Sequence, residues 1–273
     1  MHRVLSIQDI SCVGKCSLTV ALPVISALGI ECVIMPTAVL STHTGFNNFT
    51  FCDLTDEIDK ISSVWQKESI SFSGICTGFL GSFRQLELVA GLFDKFGDGL
   101  ILVDPCMGDN GKLYSVFDEN FAAAMAGLCK HADVITPNLT EACYLTKTPY
   151  PYMGYDEFFI DELLHKLASL GVKKIVLKGI SYSDDECSVI SYDVKTECKN
   201  TYTHELLPHK VSGTGDMFAA IVFSLLVRGF DIDFAVKTAA DFIVICIKTT
   251  LNRENRSWYG VDFESNLSIL TQI

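Results

Sequence analysis

Short aliphatic runs alternate with helix-length amphipathic segments along most of this chain, and small or polar residues follow run after run. Residues 4–8, 31–36, 73–76, 100–103, 133–135 and 174–177 read as strands. Residues 17–28, 55–67, 82–96, 119–130 and 156–170 read as helices; in 55–67, for instance, Ile58, Ile61, Val64 and Trp65 recur at helical spacing. Ser17 is expected to cap the first helix and Gly29 to stop it, with Pro23 kinking it or marking a local start. Such alternation specifies an α/β fold with a mainly parallel central sheet flanked by helices on both faces. After Gly179 the pattern changes: residues 187–192 and 196–203 alternate like a small antiparallel strand pair joined by 193–195. Helices over 215–228, 231–249 and 263–271 finish the chain, and residues 197–209 are expected as a flap or a dimer contact. With no internal repeat and no linker, residues 1–273 read as one domain.

Composition narrows the function. Hydrophobic residues make up 49% of 273, enough for a sizeable core. A net charge of −12 disfavours a nucleic-acid backbone or an anionic membrane surface as partner. It does not disfavour ATP, because a phosphate pocket can be locally positive. The 11 cysteines are odd in number, form no C-x-x-C pair and fall partly in apolar runs (Cys32, Cys76, Cys143, Cys246). Reduced, buried thiols in a cytoplasmic protein account for them. Cys12 and Cys16 lie close together, but without a histidine or second pair they do not make a zinc site. The apolar stretch 17–30 follows Lys15 like a signal peptide, but a strand precedes it and it is too short to span a bilayer.

In open α/β sheets ligands bind beyond the carboxyl ends of the strands. Asp9, Thr37, Thr77, Gly78, Asp104, Asn138 and Lys178 all follow strands, so chemistry is expected along that edge. The sharpest station is Gly213-Thr214-Gly215-Asp216, between a loop over 208–212 and an apolar run. A helix start there offers unpaired N–H groups and a positive dipole end to an anion, and glycines allow close approach. Asp216 beside that anion is placed to take a proton from an attacking hydroxyl, although an aspartate at a helix start is also an ordinary cap.

Asp104-Pro105-Cys106-Met107-Gly108-Asp109 follows a strand of aliphatic residues. Its first carboxylate suits Mg²⁺ held through water, or an Asx turn. In Thr136-Pro137-Asn138-Leu139-Thr140-Glu141 the Asn and Glu have capping-box spacing and also suit a phosphate–metal site. Ser41 to Phe46, with His43 and Thr44, offers hydroxyls and an imidazole to a polar heteroaromatic ring; His43 fits a hydrogen-bonded loop residue better than a metal ligand. Phe79 between Gly78 and Gly81 can cover a substrate or fill a turn, and Lys178 can reach phosphates or solvent. Residues 108–114 have the composition of a mobile lid over ATP. No P-loop, dinucleotide fingerprint or nucleophile elbow is present.

Taken in this order, the stations resemble the ribokinase superfamily and, within it, the pyridoxal/pyridoxamine (vitamin B6) kinases. The likeness runs from Val4 to about Thr250 and is most specific at Gly14 to Pro23 and Ser41 to Gly45. The resemblance implies ATP-dependent phosphorylation of a primary alcohol, with Asp216 taking the 5′-hydroxymethyl proton. The N–H groups of Gly213, Thr214 and Gly215 would stabilise the transferring phosphoryl group. It further implies Asp104 and Glu141 at Mg²⁺; Asn138, Asp109, Tyr114 and Lys178 near the nucleotide; and Asp9, Leu40, His43, Thr44 and Phe79 around the pyridine ring. A monovalent cation such as K⁺ and a homodimer are implied as well. Many pyridoxal kinases carry serine in place of Asp9 and tyrosine in place of Phe79, so the preferred vitamer stays open. Met217 replaces the small polar residue common after this aspartate in sugar kinases. A hydroxymethylpyrimidine kinase is the nearest alternative, and a non-catalytic pyridoxal phosphate reservoir is an alternative of another class.

Overall fold

A nine-stranded sheet forms the centre of the computed structural model, which describes residues 2–207 and 212–273. Its first half contains β1 (Arg3–Ser11), α1 (Leu18–Ala27), β2 (Glu31–Leu40), β3 (Phe51–Asp53), α2 (Thr55–Lys67), β4 (Gly74–Thr77), α3 (Phe83–Phe96) and β5 (Leu100–Val103). Next come β6 (Gly108–Asp109), β7 (Lys112–Leu113), α4 (Glu119–Cys129), β8 (Val134–Ile135), α5 (Leu139–Thr146) and α6 (Glu157–Ala168). The chain closes with β9 (Lys174–Ile180), β10 (Glu186–Asp193), β11 (Cys198–Glu205), α7 (Thr214–Val227), α8 (Ile232–Leu251), a 3₁₀ turn and α9 (Leu267–Leu270).

Strand order is β11-β10-β9-β8-β5-β4-β1-β2-β3. The six strands from β9 to β2 run parallel, and β3, β10 and β11 are antiparallel to their neighbours. The expected antiparallel pair is therefore present, as an extension of the main sheet. Alternate residues of the central strands feed two cores. Leu5, Ile7, Ile75, Ile101 and Val103 pack on one face with α2 to α6; Val4, Cys76 and Leu102 pack on the other with α1, α7 and α8. Burial on both faces explains why these strands read as unbroken apolar runs. Helix α7 is buried at every position from Met217 to Leu225, and Gly74 lets it come close: a Cβ there would meet the Phe223 ring at 3.0 Å.

Several local features bear on the site. Ser17 does not cap α1 with its side chain; it sits at φ 52°, and its amide points elsewhere. Helix α1 runs through Pro23, and Gly29 ends it at φ 77°. Residues 108–114, expected as a mobile lid, contain the separate hairpin β6–β7, with Asn110 and Gly111 at φ 52° and 76°. Positive φ at both turn residues is the geometry that Asn-Gly favours in two-residue hairpins. Strand β2 also extends to Leu40, with a register shift beside Pro36, which has no N–H to give the ladder. Most of the loop expected over 208–212, and the end of the expected flap, lie outside the described residues.

Candidate active site

The parallel strands β5 and β8 deliver the residues that follow them, and β9 its own Lys178, to one place. Asp104 leaves β5 buried, and its Oδ1 accepts hydrogen bonds from Thr136 Oγ1 at 2.8 Å and from Lys178 Nζ at 2.9 Å. Burial opposes a charge on Lys178, but Asp104 and Glu141 beside it more than offset this and hold the ammonium above its ordinary range. At the start of α5, Asn138 Oδ1 accepts the Glu141 N–H at 2.9 Å and Glu141 Oε2 accepts the Asn138 N–H at 2.8 Å. This is a complete capping box. Glu141 Oε1 also faces the Met107 N–H at 3.3 Å. The cap and the site are one structure, because the same carboxylate that closes the helix end sits fully buried beside Asp104 and Lys178. Burial pushes Glu141 up to about 8, and the negative charge of Asp104 adds to that.

Opposite these residues, α7 begins at Gly213, whose φ of 86° puts it in the left-handed region. A Cβ there would fall 1.9 Å from the Lys15 carbonyl oxygen, so the turn and its closest neighbour both require glycine. Asp216 lies in the first turn of α7, and its Oδ2 accepts the Ser17 N–H at 2.8 Å. Burial pushes Asp216 up to about 7 against that hydrogen bond, with Asp104 and Asp9 adding repulsion.

A cavity of about 550 Å³ joins the two sides. Asp104, Asp109, Tyr114, Asn138, Glu141 and Lys178 line it together with Gly213, Thr214, Gly215 and Asp216. Every residue expected at the nucleotide, the metal or the anion therefore faces one space. The cavity also has a less polar end, with Val189, Phe218 and Ile243, beside Cys187 and His204. Sequence reasoning missed this end, since these residues meet only through tertiary packing and no local spacing announces them. It also missed the Ser17 amide.

The residues expected around a pyridine ring lie outside that lining. Asp9 is buried at the end of β1, where Ser11 Oγ donates to its Oδ2 at 3.0 Å. The Ser17 hydroxyl also stabilises its charge, while burial as the larger effect raises its pKa. Ser17 thus links Asp9 to Asp216. Leu40 is buried, Thr44 is exposed, and Phe79 is half-buried with its ring 5.4 Å from that of Phe117. His43 is engaged within the protein: Nδ1 accepts the Gly45 N–H at 2.9 Å and Nε2 meets the Tyr259 carbonyl at 3.1 Å. That pairing requires the proton on Nε2 and leaves neither ring nitrogen open to a ligand. His43 ties the 41–46 loop to the C-terminal segment.

Among the described residues no group of three or more His, Cys, Asp or Glu side chains is arranged as a metal cage. Asp104 and Glu141 nevertheless fit Mg²⁺, which is commonly bound by one or two carboxylates together with waters and substrate phosphates. Here the carboxylates of Asp104, Glu141 and Asp216 line one cavity with the Lys178 ammonium; burial is the larger cause of the raised pKa values of Glu141 and Asp216, and the charge of Asp104 adds to it.

Solved structures of kinases share this architecture. An orthorhombic crystal form, with pyridoxal, of a Bacteroides thetaiotaomicron protein assigned as a phosphomethylpyrimidine kinase is 36% identical. It superposes with a TM-score of 0.93, covering 98% of this chain and 95% of that one. Pyridoxal kinase from Lactobacillus plantarum is 29% identical at a TM-score of 0.91, covering 100% and 97%. The fold and these likenesses place the chain among ATP-dependent kinases of the ribokinase-like superfamily, with the resemblance to vitamin B6 kinases borne out. The chain belongs to the phosphomethylpyrimidine kinase family, whose profile matches residues 21–259. Among curated relatives, a Bacillus subtilis hydroxymethylpyrimidine/phosphomethylpyrimidine kinase is 26% identical over 79% of this chain and 78% of its own. A pyridoxal kinase of Rubrobacter xylanophilus is 24% identical over 93% of this chain and 89% of its own. Among the described residues no helix is long and apolar enough to cross a membrane.

Proposed function

We propose that this kinase transfers the γ-phosphoryl group of ATP to the 5′-hydroxymethyl group of pyridoxal, pyridoxamine or pyridoxine. The observation that carries the reading is one cavity in which the Asp216 carboxylate, in the first turn of α7, faces the Asp104–Lys178 pair, 2.9 Å apart. A base is most effective when its pKa lies near the working pH, and Asp216 meets that condition. The Ser17 amide aims the carboxylate, so its free oxygen takes the hydroxyl proton as the substrate oxygen attacks phosphorus. The backbone N–H groups of Gly213, Thr214 and Gly215 receive the negative charge that spreads over the transferring group. Lys178 lies within 4.0 Å of the Cβ position of Gly215 and supplies a fixed positive charge to the same group. Asp104 holds that ammonium in place. Asp104 and Glu141 would hold Mg²⁺, which when bound neutralises phosphate charge.

Asn138, Asp109 and Tyr114 bound the triphosphate, and the base lies toward Val189 and Ile243. Asp9, through Ser17, borders the alcohol substrate, with Thr44, Leu40 and Phe79 around its ring. The pyridoxal-bound Bacteroides relative supports a B6 substrate, and so does an aspartate at 216, where hydroxymethylpyrimidine kinases often carry cysteine. A monovalent cation such as K⁺, a homodimer and a cytoplasmic location belong to the same reading. The test is initial rates of ADP release with Mg²⁺-ATP against the three B6 vitamers and hydroxymethylpyrimidine in parallel. Faster turnover of a vitamer is expected. Preference for the pyrimidine would move the enzyme to the alternative substrate, and tight pyridoxal phosphate binding without turnover would make it a reservoir.

A further inference from the structure

The turn of hairpin β6–β7 is gripped from outside the nucleotide cavity. The Gly111 N–H donates to Thr140 Oγ1 at 2.9 Å, and the Gly111 carbonyl accepts from Tyr152 Oη at 2.9 Å, with Tyr144 Oη at 3.4 Å. At its other end the hairpin is held by Asn138 Nδ2, which donates to the Gly108 carbonyl at 2.9 Å. Thr140 and Asn138 belong to the start of α5, the same turn that carries Glu141. Asp109, beside the turn, and Tyr114, just after β7, line the cavity. The grip is uneven in burial: Thr140 is 2% exposed, whereas Tyr152 is 68% exposed. Tyr152 therefore contributes little to either core, and its hydroxyl has no evident task besides Gly111.

We propose that Tyr152 is a positioning residue for the nucleotide: with Thr140 it pins the Asn110–Gly111 turn, so that the hairpin holds Asp109 and Tyr114 as a fixed wall beside the triphosphate. The proposal rests on reading the cavity as the nucleotide site. An unpinned hairpin spends part of its time away from the ligand, and that fraction raises the apparent dissociation constant. Thr140 and the longer Tyr144 contact then hold the turn without the shorter of its two carbonyl hydrogen bonds.

The experiment compares the full-length protein with Tyr152→Phe and Gly111→Ala. Tyr152→Phe removes only an exposed hydroxyl, so folding is not at risk. In Gly111→Ala the residue sits at φ 76° and its Cβ would approach Tyr152 Oη to 2.7 Å, which forces the same contact apart. ADP affinity is measured by calorimetry, and amide hydrogen exchange is followed across residues 108–114. Both variants are expected to bind ADP about three- to tenfold more weakly, the scale of one lost hydrogen bond. Exchange at Gly111 and Lys112 should accelerate, and KM for ATP should rise while KM for the alcohol stays unchanged. A role in stability alone would lower the melting temperature and leave the split between the two KM values unmoved. Unchanged ADP affinity in Tyr152→Phe overturns the proposal, whether or not exchange accelerates. Failure of the parent protein itself to bind ADP would instead overturn the nucleotide reading.

Discussion

The amide of Ser17 donates to Asp216 Oδ2 at 2.8 Å across 199 residues of sequence. This contact joins the loop after β1 to the start of α7. It fixes one oxygen of the carboxylate. Lys15, two residues earlier, presents its carbonyl where any side chain at position 213 would have to go. The 14–17 loop thus shapes both the Asp216 carboxylate and the turn that presents it.

The raised pKa of Asp216 has a stability consequence. The native state holds its proton up to about pH 7, whereas in the unfolded chain the carboxyl has its ordinary value of 3.8. Stability from this group is therefore fullest below about pH 4 and declines as pH rises toward 7, with little change beyond. Asp216→Asn should remove that decline. Urea denaturation without nucleotide should find the variant more stable than the parent by about 1–3 kcal/mol at pH 8. Near pH 4 the two should be nearly equal. A difference that is the same at both pH values would contradict the assignment.

The two glycines of the anion turn should fail in different ways. Gly213→Ala collides with the Lys15 carbonyl at a positive φ, so loss of stability or of soluble protein is expected. At Gly215 an added Cβ meets, among the described residues, only Lys178 Nζ, at 4.0 Å. Gly215→Ala should melt close to the parent temperature yet lose at least about tenfold in kcat/KM, since the methyl occupies space meant for a phosphoryl oxygen. Parental activity in Gly215→Ala would remove this turn from the anion site.

Asp9 should set the choice among vitamers. Its carboxylate is buried near the C-terminal end of β1 and is steadied by Ser11 and Ser17. Asp9→Ser is expected to lower the pyridoxamine-to-pyridoxal ratio of kcat/KM more than it changes KM for ATP. Competition assays with both vitamers would read the ratio directly, and an unchanged ratio would take Asp9 out of the ring contacts.

Local pattern carried the sheet and most of its helices, because strands buried on both faces cannot avoid being continuous apolar runs. Strand β3 escaped notice since its three residues are all exposed and give no periodicity. The Asn110-Gly111 dipeptide is a hairpin signal legible in the sequence, and the structure forms that hairpin within residues 108–114. The polar station at each strand end was legible for the same reason that the fold was: parallel strands end together. Ser17 was not legible, because a serine before an apolar run reads as a cap and only the fold brings Asp216 to its amide. His43 looked chemical in sequence; its nitrogens are committed to Gly45 and Tyr259, a pairing that needs a segment more than 200 residues away.

The most direct test of Asp216 as the base is kcat against pH for the parent and Asp216→Asn, on the fastest alcohol substrate with saturating Mg²⁺-ATP. The parent should gain activity with rising pH through a limb centred no higher than about 7, as the carboxyl loses its proton. The variant should lose the limb and at least about a hundredfold in kcat, with a smaller change in ATP binding. Near-parental turnover in the variant, with the pH limb intact, would contradict the account.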